Sequence, residues 1–449
     1  MTMTGDNDTI FARASGAGKA GVAVFRLSGP QARNIASQLV GKRNINREAR
    51  LAALRDPASG ALIDRGLAIL FQAPASFTGE DVVEFHLHGS RAVEASLYET
   101  LSGLGARPAE AGEFTLRALK NGKLDLAQAE ALADLIDAET TLQKKQALGQ
   151  LDGRLSALAE GWRKQILAVM APLEADIDFP DEGDVPAAVA ARSGPAIRGL
   201  KESLTAYLKQ SGRARMIREG VSIAVVGPPN AGKSSLVNAL AGSDVAIVSE
   251  IAGTTRDIVE TRLDLGGIVA TIADTAGIHG ATNDKIEAEG MRRARERAGG
   301  ADLRIGVLDP GEAYVSRETI DLLKTGDFLV WSKADLGAAI PGGAAPDGVS
   351  IHALSADTKS GLTDFVAALT KAIAADLDAG APALTRLRHA SAVAASIESL
   401  NRAETMIETA PELAAEDARL AARALGTITG AVGVEDVLGE IFSSFCIGK

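Results

Sequence analysis

The stretch Gly227-Pro-Pro-Asn-Ala-Gly-Lys-Ser234 constrains this chain more than any other. It fills the pattern G-x-x-x-x-G-K-[ST] completely. Before it lies a β-branched run, Val221–Val226, that reads as a buried strand. After it, Leu236, Val237 and Leu240 recur at helical spacing over residues 233–240. A strand, a glycine loop and a helix N-terminus together form an anion site, because backbone N–H groups converge there and the helix dipole favours negative charge. Gly227 and Gly232 allow close approach of backbone to phosphate. Lys233 is expected to reach the β- and γ-phosphates and Ser234 to ligate Mg²⁺. Asn230, Ala231 and Ser235 complete the loop. A chance glycine turn is the bland alternative, and the flanking strand and helix argue against it.

The 449 residues suffice for roughly three domains. Hydrophobic residues make up 46% and charged residues 23%, ordinary values for a globular protein. The net charge of −11 disfavours autonomous nucleic-acid binding, since phosphate contacts need clustered Lys and Arg. An RNA substrate would require a local basic patch or a partner. One cysteine excludes an intramolecular disulfide framework and suggests a reducing compartment. The first eight residues have neither a basic n-region nor an apolar h-region, and no uncharged span of membrane length follows. The chain therefore reads as cytoplasmic, with no membrane partner.

Residues 1–120 mix strand and helix patterns, as expected of an α/β domain. Residues 21–27 and 81–88 alternate, and 91–104 reads as a helix. Gly16-Ala-Gly-Lys19 resembles a second phosphate loop, but it lacks the spacer and the following Ser or Thr, so it reads as a turn before a strand. Glu84, His86 and His88 share one strand face and could hold a metal; a polar sheet face is the simpler reading.

From residue 121 the pattern is helical. Leu148, Leu151, Leu155, Leu158, Trp162, Ile166, Val169 and Leu173 form one apolar stripe, and Pro172 should end or kink that helix. A breaker-rich acidic connection, 179–186, precedes a second helix over roughly 187–211. Similar stripes return after Gly380, through Val393, Ile397, Leu400 and Ile407, then Leu413, Leu420, Ala424 and Ile428. The expected organisation is a discontinuous helical domain, 121–215 and 379–449, with a nucleotide domain, 216–378, inserted into it. The terminal Cys446-Ile-Gly-Lys449 is formally C-a-a-X, but Gly448 and Lys449 do not suit prenylation.

Within the nucleotide domain, Thr254-Thr255 follows the first helix, where a GTPase loop closes on the γ-phosphate, and Thr255 is assigned to Mg²⁺. Ile268–Ala273 reads as a strand followed by Asp274-Thr275-Ala276-Gly277, with Asp274 facing Mg²⁺ through water and the Gly277 N–H facing the γ-phosphate. Leu303–Leu308, Phe328–Trp331 and 349–354 are further strands. Ser332-Lys333-Ala-Asp335 follows the second of these and Ser355-Ala356 the third. A carboxylate at Asp335 accepts from the two adjacent donors of guanine and would be left unpaired by adenine. The usual pattern there is Asn-Lys-x-Asp. Ser332 stands where Asn is expected, and the shorter side chain is expected to lose reach to both the base and the phosphate loop, weakening nucleotide binding.

With these residues in view, the chain resembles the MnmE (TrmE) tRNA-modification GTPases along nearly its full length. The resemblance is carried by residues 21–29, 76–84, His88-Gly89, 112–118, 121–130, 177–182 and the tail 442–449. It implies an N-terminal α/β folate-binding domain, a discontinuous helical domain, an inserted Ras-like P-loop G domain, and a homodimer formed through the N-terminal domains. The implied reaction uses an FAD-containing partner of the MnmG (GidA) type. It adds a (carboxymethyl)aminomethyl group to C5 of the wobble uridine of certain tRNAs, with the one-carbon unit from 5-formyl- or methylene-tetrahydrofolate.

The family's folate contacts fall on Arg26, Glu84, Lys123 and Lys449. Its K⁺ site, which stands in for an arginine finger, falls on Asn230, Ser249, Ile251 and Thr254. Ile278 matches the hydrophobic residue that replaces a water-orienting Gln, and the substitute acting through water aligns to Glu287, with Glu289 an alternative. Cys446 matches the family's terminal Cys, as a nucleophile toward uridine C6 or as a structural residue. Two rival readings remain: a GTP-switched assembly or regulatory factor without group transfer, and a folate-binding scaffold with vestigial GTPase activity.

Overall fold

The structure, a computed structural model, describes residues 8–41, 45–178, 185–247, 260–273, 296, 298–311, 316–337, 345–374, 383–432, 438, 441–442, 445 and 448; for 172–178, 185–192, 260 and 273 it describes the backbone alone. The chain forms two units. One comprises residues 1–133, 150–201 and 392–449, the other 134–149 and 202–391.

In the first unit, strands β1 (Ile10–Arg13), β2 (Ala20–Ser28), β3 (Arg50–Arg55), β4 (Leu62–Phe71), β5 (Val82–Gly89) and β6 (Arg107–Pro108) form one sheet in the order β3-β4-β5-β2-β1-β6. Only the β1–β6 pair is parallel. The alternation expected of β2 and β5 is present. Ala23, Phe25 and Leu27 are buried, as are Val83, Phe85 and Leu87. They pack with Ile35 and Leu39 of helix Ala32–Val40 and with Leu97 and Leu101 of helix Arg91–Gly103. Strand period two therefore puts Arg26, Glu84 and His86 on the opposite face, where they are partly exposed. Gly16 to Lys19 form an exposed turn before β2, as expected.

Helix Arg154–Asp178 packs along helix Pro411–Thr429 within the same unit. Leu155, Ala159, Trp162 and Ile166 are buried on the one, and Ala414, Ala418, Ala421, Leu425 and Ile428 on the other. The alanines let the two backbones approach closely. Lys201 Nζ lies 2.6 Å and Arg198 Nη1 3.1 Å from Glu404, tying helix Val185–Lys209 to helix Leu387–Met406.

The single stripe expected from Leu148 to Leu173 is two helices, Thr141–Leu151 and Arg154–Asp178. Gly153, with φ of 85°, breaks it, and Leu148 is exposed. The helix continues past Pro172 to Asp178. A proline removes one backbone donor, which a long, packed helix can absorb as a local bend. The helix expected over 187–211 ends at Lys209, and a separate helix, Ser211–Glu219, leads into the nucleotide unit.

In the second unit, β7 (Val221–Val226), β8 (Glu260–Leu265), β9 (Ile268–Ala273), β10 (Leu303–Leu308), β11 (Phe328–Trp331) and β12 (Ser350–Ala353) form a sheet in the order β12-β11-β10-β7-β9-β8. All neighbours are parallel except the β8–β9 hairpin. Ile223, Val225, Val307 and Val330 pack on one face with Leu236 and Leu240 of helix Lys233–Ala241 and with Phe365 and Leu369 of helix Leu362–Ala374. Ala224, Val226, Leu308, Leu329 and Trp331 pack on the other. Burial on both faces explains why these strands are continuous apolar runs in the sequence. The chain leaves β7 for β8 and β9 on one side, then crosses to β10 on the other. The switch point is therefore at β7, where such sheets open a crevice for ligands.

Residues 134–149 are fastened to this unit by polar contacts. Thr140 Oγ1 donates to the Gly267 carbonyl at the hairpin turn, 2.7 Å away, and Asp134 pairs with Arg218 at 2.9 Å and Arg386 at 2.6 Å. Among the described residues, no helix is long and apolar enough to cross a membrane.

A buried polar network holds the loop between β4 and β5. Thr78 donates to Ser28 Oγ at 2.7 Å, and Ser28 Oγ donates to Glu80 at 2.7 Å. Arg117, 9% exposed, reaches Glu80 at 3.1 Å, Glu113 at 3.0 Å and the Asp8 carbonyl at 2.7 Å. Arg107 reaches Glu113 at 2.7 Å. Burial disfavours the charged form of Glu113, but the hydrogen bonds from Arg107, the Glu110 amide and Arg117 outweigh it and hold the carboxyl below its usual range. Arg117→Ala should destabilise the protein by about 3–5 kcal/mol in urea unfolding, because the largely buried Glu80 loses its cation while Glu113 keeps only Arg107. The contribution of Glu113 is fully present above its unfolded pKa of about 4.3 and is lost as the pH falls toward the lower folded value. Glu113→Gln should accordingly flatten the loss of stability on acidification through that range.

Candidate functional site

Four loops leave the carboxyl ends of β7, β10, β11 and β12, and between them they carry the nucleotide-site residues that the structure describes. The phosphate loop runs from Gly227 into helix Lys233–Ala241. A Cβ on Gly227 would lie 2.3 Å from the Val307 carbonyl, so only glycine lets the loop pass β10 at this distance. Asn230 has φ of 61°, a left-handed conformation that asparagine tolerates better than most residues. Ala231 is fully buried, whereas Asn230, Ser234 and Ser235 are exposed. Lys233 Nζ donates to the Gly227 and Pro228 carbonyls at 3.0 and 2.7 Å, placing its charge over the loop itself.

Beyond β11, Ser332 is 5% exposed. Its Oγ lies 2.7 Å from the Ala231 carbonyl. The loss of contact with the phosphate loop expected from the shorter side chain therefore does not occur. The loop comes close enough for a hydroxyl to span the gap. Lys333 has φ of 52°, and its Nζ lies 2.5 Å from Asp309 Oδ2 at the end of β10. The Lys333 hydrogen bond, helped by the Gly311 N–H, holds the Asp309 carboxyl below the usual range. Asp309 was not singled out from sequence; its signal was a carboxylate in the first position after a buried strand.

Asp335 sits on a short 3₁₀ turn, Ala334–Leu336, and is exposed. The burial on which its selectivity against adenine depends must then come from the base that covers it. Beyond β12, Ser355 is 1% exposed and its Oγ accepts the Thr358 N–H at 3.2 Å, shaping a turn that closes with Ser355 N–H donating to Ser360 O at 3.0 Å. Ala356 packs partly against the core.

In the first unit, Arg26 and Glu84 are direct cross-strand partners. Arg26 Nη2 and Nε lie 2.9 and 3.1 Å from Glu84 Oε1, and the guanidinium carbon lies 5.3 Å from the Phe77 ring centroid and 5.7 Å from that of Phe114. The Arg26 side chain is thus already paired with Glu84 and lies over two aromatic rings. Lys123, by contrast, is exposed, with Nζ donating to the Pro74 carbonyl at 2.9 Å. His86 Nε2 lies 3.5 Å from Glu84 Oε2, while His88 turns to Asp64 at 3.0 Å. Among the described residues, no group of three or more His, Cys, Asp or Glu is placed to hold a metal ion.

The described tail residues return to this unit. Phe442 and Phe445 bury against Ala129, Leu116 and Leu119. A Cβ on Gly448 would lie 2.1 Å from the Arg13 carbonyl on β1, the strand that pairs with β2. Ser249, Ile251, Thr254, Thr255, Asp274, Thr275, Ala276, Gly277, Ile278, Glu287, Glu289, Cys446 and Lys449 lie outside the described residues.

Comparison with known proteins bears on both units. The family model of the GTP-binding protein TrmE N-terminus matches residues 9–123, and that of the MnmE helical domain matches 126–446. A protein of Parvibaculum lavamentivorans named tRNA modification GTPase MnmE is 50% identical, over 98% of this chain and 100% of its own. Proteins of the same name from Caulobacter vibrioides and Maricaulis maris are 48% and 49% identical, over 98% and 99% of this chain and 100% of each of theirs. Among solved structures, the G domain of the T. maritima FeoB iron transporter covers 34% of this chain and 96% of its own at 26% identity, with a TM-score of 0.25, a likeness too weak to add anything. Two family models that together run from residue 9 to residue 446, and identity near one half along whole chains, make this protein a member of the MnmE family of tRNA modification GTPases.

Proposed function

We propose that this protein is a K⁺-dependent GTPase whose hydrolysis cycle serves the modification of tRNA. On this reading it works in the cytoplasm as a homodimer joined through its N-terminal domains, with an FAD-containing partner of the MnmG type. Together they add a (carboxymethyl)aminomethyl group to C5 of the wobble uridine, using a tetrahydrofolate one-carbon donor. The observation that carries the reading is full-length identity near one half with proteins named tRNA modification GTPase. It is supported by the arrangement of Lys233, Ser332, Lys333, Asp335 and Ser355 at one end of a single sheet.

The described residues fit the groups that the reading requires. The exposed hydroxyl of Ser234, at the first turn of a helix, suits a hard cation such as Mg²⁺. The exposed Asn230 offers a side-chain carbonyl of the kind a K⁺ ion accepts. Thr255 would join the first, and Ser249, Ile251 and Thr254 the second; Asp274 to Gly277 would face the γ-phosphate and Glu287 a water. Both cations supply positive charge where the phosphate oxygens gain negative charge on cleavage. Lys233 adds a charge from the loop itself. A pterin can donate to Glu84, whose Oε2 is not engaged by Arg26, and Lys123 offers its charge to the carboxylates of a folate tail. Arg26 orients Glu84 through its two hydrogen bonds to Oε1.

Purified protein should hydrolyse GTP at least about 10-fold faster in KCl than in NaCl at equal ionic strength, the scale expected for a cation at the cleaved bond. Equal and very slow rates in both salts would shift weight to a partner-activated switch without group transfer. Asp335→Asn should move binding preference from GTP to XTP by about 100-fold or more, since an amide donor suits the xanthine C2 carbonyl and leaves the guanine amino group unpaired. A variant that still prefers GTP would remove Asp335 from the base site.

A further inference from the structure

Ser332 occupies the position where this class of nucleotide site usually carries asparagine, and its hydroxyl is fully committed. The side-chain Oγ is 2.7 Å from the Ala231 carbonyl and 3.2 Å from the Leu308 carbonyl. The Leu308 carbonyl already accepts the Ser332 backbone N–H at 2.8 Å. A hydroxyl has one proton. The shorter contact and the other acceptor's existing bond assign that proton to Ala231, which is itself fully buried. Contact is tight on this side: a Cβ on Gly232 would lie 3.3 Å from Ser332 Cβ and 3.4 Å from its Oγ. Ser332 is thus wedged between the ends of β10 and β11 and the phosphate loop.

An asparagine amide has two N–H donors and an acceptor, so it can bond the loop and a base together. Serine cannot do both. Guanine presents two distinct edges. One carries N1–H and the 2-amino group, which Asp335 can accept. The other carries N7 and O6, which are acceptors and need a donor from the protein. With its single proton bound to Ala231, residue 332 has none to give.

We propose that Ser332 is a positioning residue that acts on the nucleotide only through Ala231 and the phosphate loop, and that this site consequently does not read guanine N7. The inference rests on the GTP-binding reading above and deepens it. Guanine selection falls to Asp335, and Ser332 governs affinity through the phosphates. Position 332 then affects GTP, GDP and any base analogue alike, where an asparagine there would favour bases that keep N7.

The test is equilibrium binding of GTP and 7-deaza-GTP, in which N7 is replaced by C–H, to the full-length protein and its Ser332→Asn and Ser332→Ala variants. The wild-type protein should bind the two nucleotides within about 2-fold of each other. Ser332→Asn should acquire a preference for GTP of about 10-fold, the scale of one hydrogen bond. Ser332→Ala, which leaves the Ala231 carbonyl unpaired, should bind both about 10-fold more weakly while keeping the wild-type ratio of GTP to XTP affinity. Ser332→Thr, which keeps the hydroxyl, should restore most of the loss. A 10-fold wild-type preference for GTP over 7-deaza-GTP overturns the proposal, and so does parity in both the wild type and Ser332→Asn. Unchanged affinity in Ser332→Ala alongside a lowered unfolding temperature would make the hydroxyl a stabilising group only and overturns its role in positioning. Failure of the wild-type protein to bind GTP at all would instead refute the reading on which the proposal rests.

Discussion

The hydrogen bond from Ser332 to the Ala231 carbonyl joins the two loops on which the nucleotide unit depends. Parallel strands deliver their loops to one end of a sheet, but they do not by themselves fix the loops against one another. Here the fixing is done by short contacts that cross between strand ends. Ser332 ties the end of β11 to the phosphate loop, and Lys333 ties it to Asp309 at the end of β10. The Ser332 amide bonds the Leu308 carbonyl, extending the β10–β11 ladder by one step. The backbone conformations of Asn230, Lys333 and Lys359, in the loops after β7, β11 and β12, are left-handed. Such conformations cost free energy in non-glycine residues and persist only where neighbours hold them. Strain is thus concentrated where the chain must turn closely around a ligand.

In the first unit, several polar residues of the motif stretches serve the fold itself. Glu80, Glu113, Arg117 and Asn121 lie in the stretches that carry the family resemblance, yet their charges and amides are used within the fold. Asn121 donates to the Thr78 carbonyl at 2.7 Å, and Arg117 bridges two carboxylates. They brace the loop that holds Phe77 against Arg26. The partly exposed face of β2 and β5, with Glu84 set by Arg26, is what this bracing presents outward. A long motif can therefore place a binding face without touching the ligand itself.

Legibility in the sequence followed burial. Strands β7, β9, β10 and β11 fall on the bounds expected for them, because a strand covered on both faces must be apolar throughout. Strands β3 and β4 are not legible in the same way. Leu51, Leu62 and Leu67 are exposed, so the pattern there does not report which side faces the core. The helical stripe from Leu148 to Leu173 was misleading for the converse reason. Its spacing is preserved across Gly153, but periodicity does not sense a left-handed residue that ends one helix before the next begins. The phosphate loop and the residues after β11 and β12 were legible because local backbone geometry fixes their types. Asp309 was not, since its meaning comes from Lys333, a residue distant in sequence that only the sheet brings within hydrogen-bonding distance.

Residue 332 marks the limit of reading a position by its motif. The motif expects an amide, and by that standard a serine is a defect. In the fold, the distance to Ala231 is what matters, and a hydroxyl meets it at 2.7 Å. What changes with the substitution is the number of donors, from two to one. A side chain with one proton has to choose between a buried carbonyl and a ligand. The buried carbonyl wins, because leaving it unpaired would cost about 1–3 kcal/mol in every state of the protein, whereas the ligand contact counts only when nucleotide is bound. The substitution thus keeps the part of the asparagine's role that organises the site and gives up the part that inspects the base.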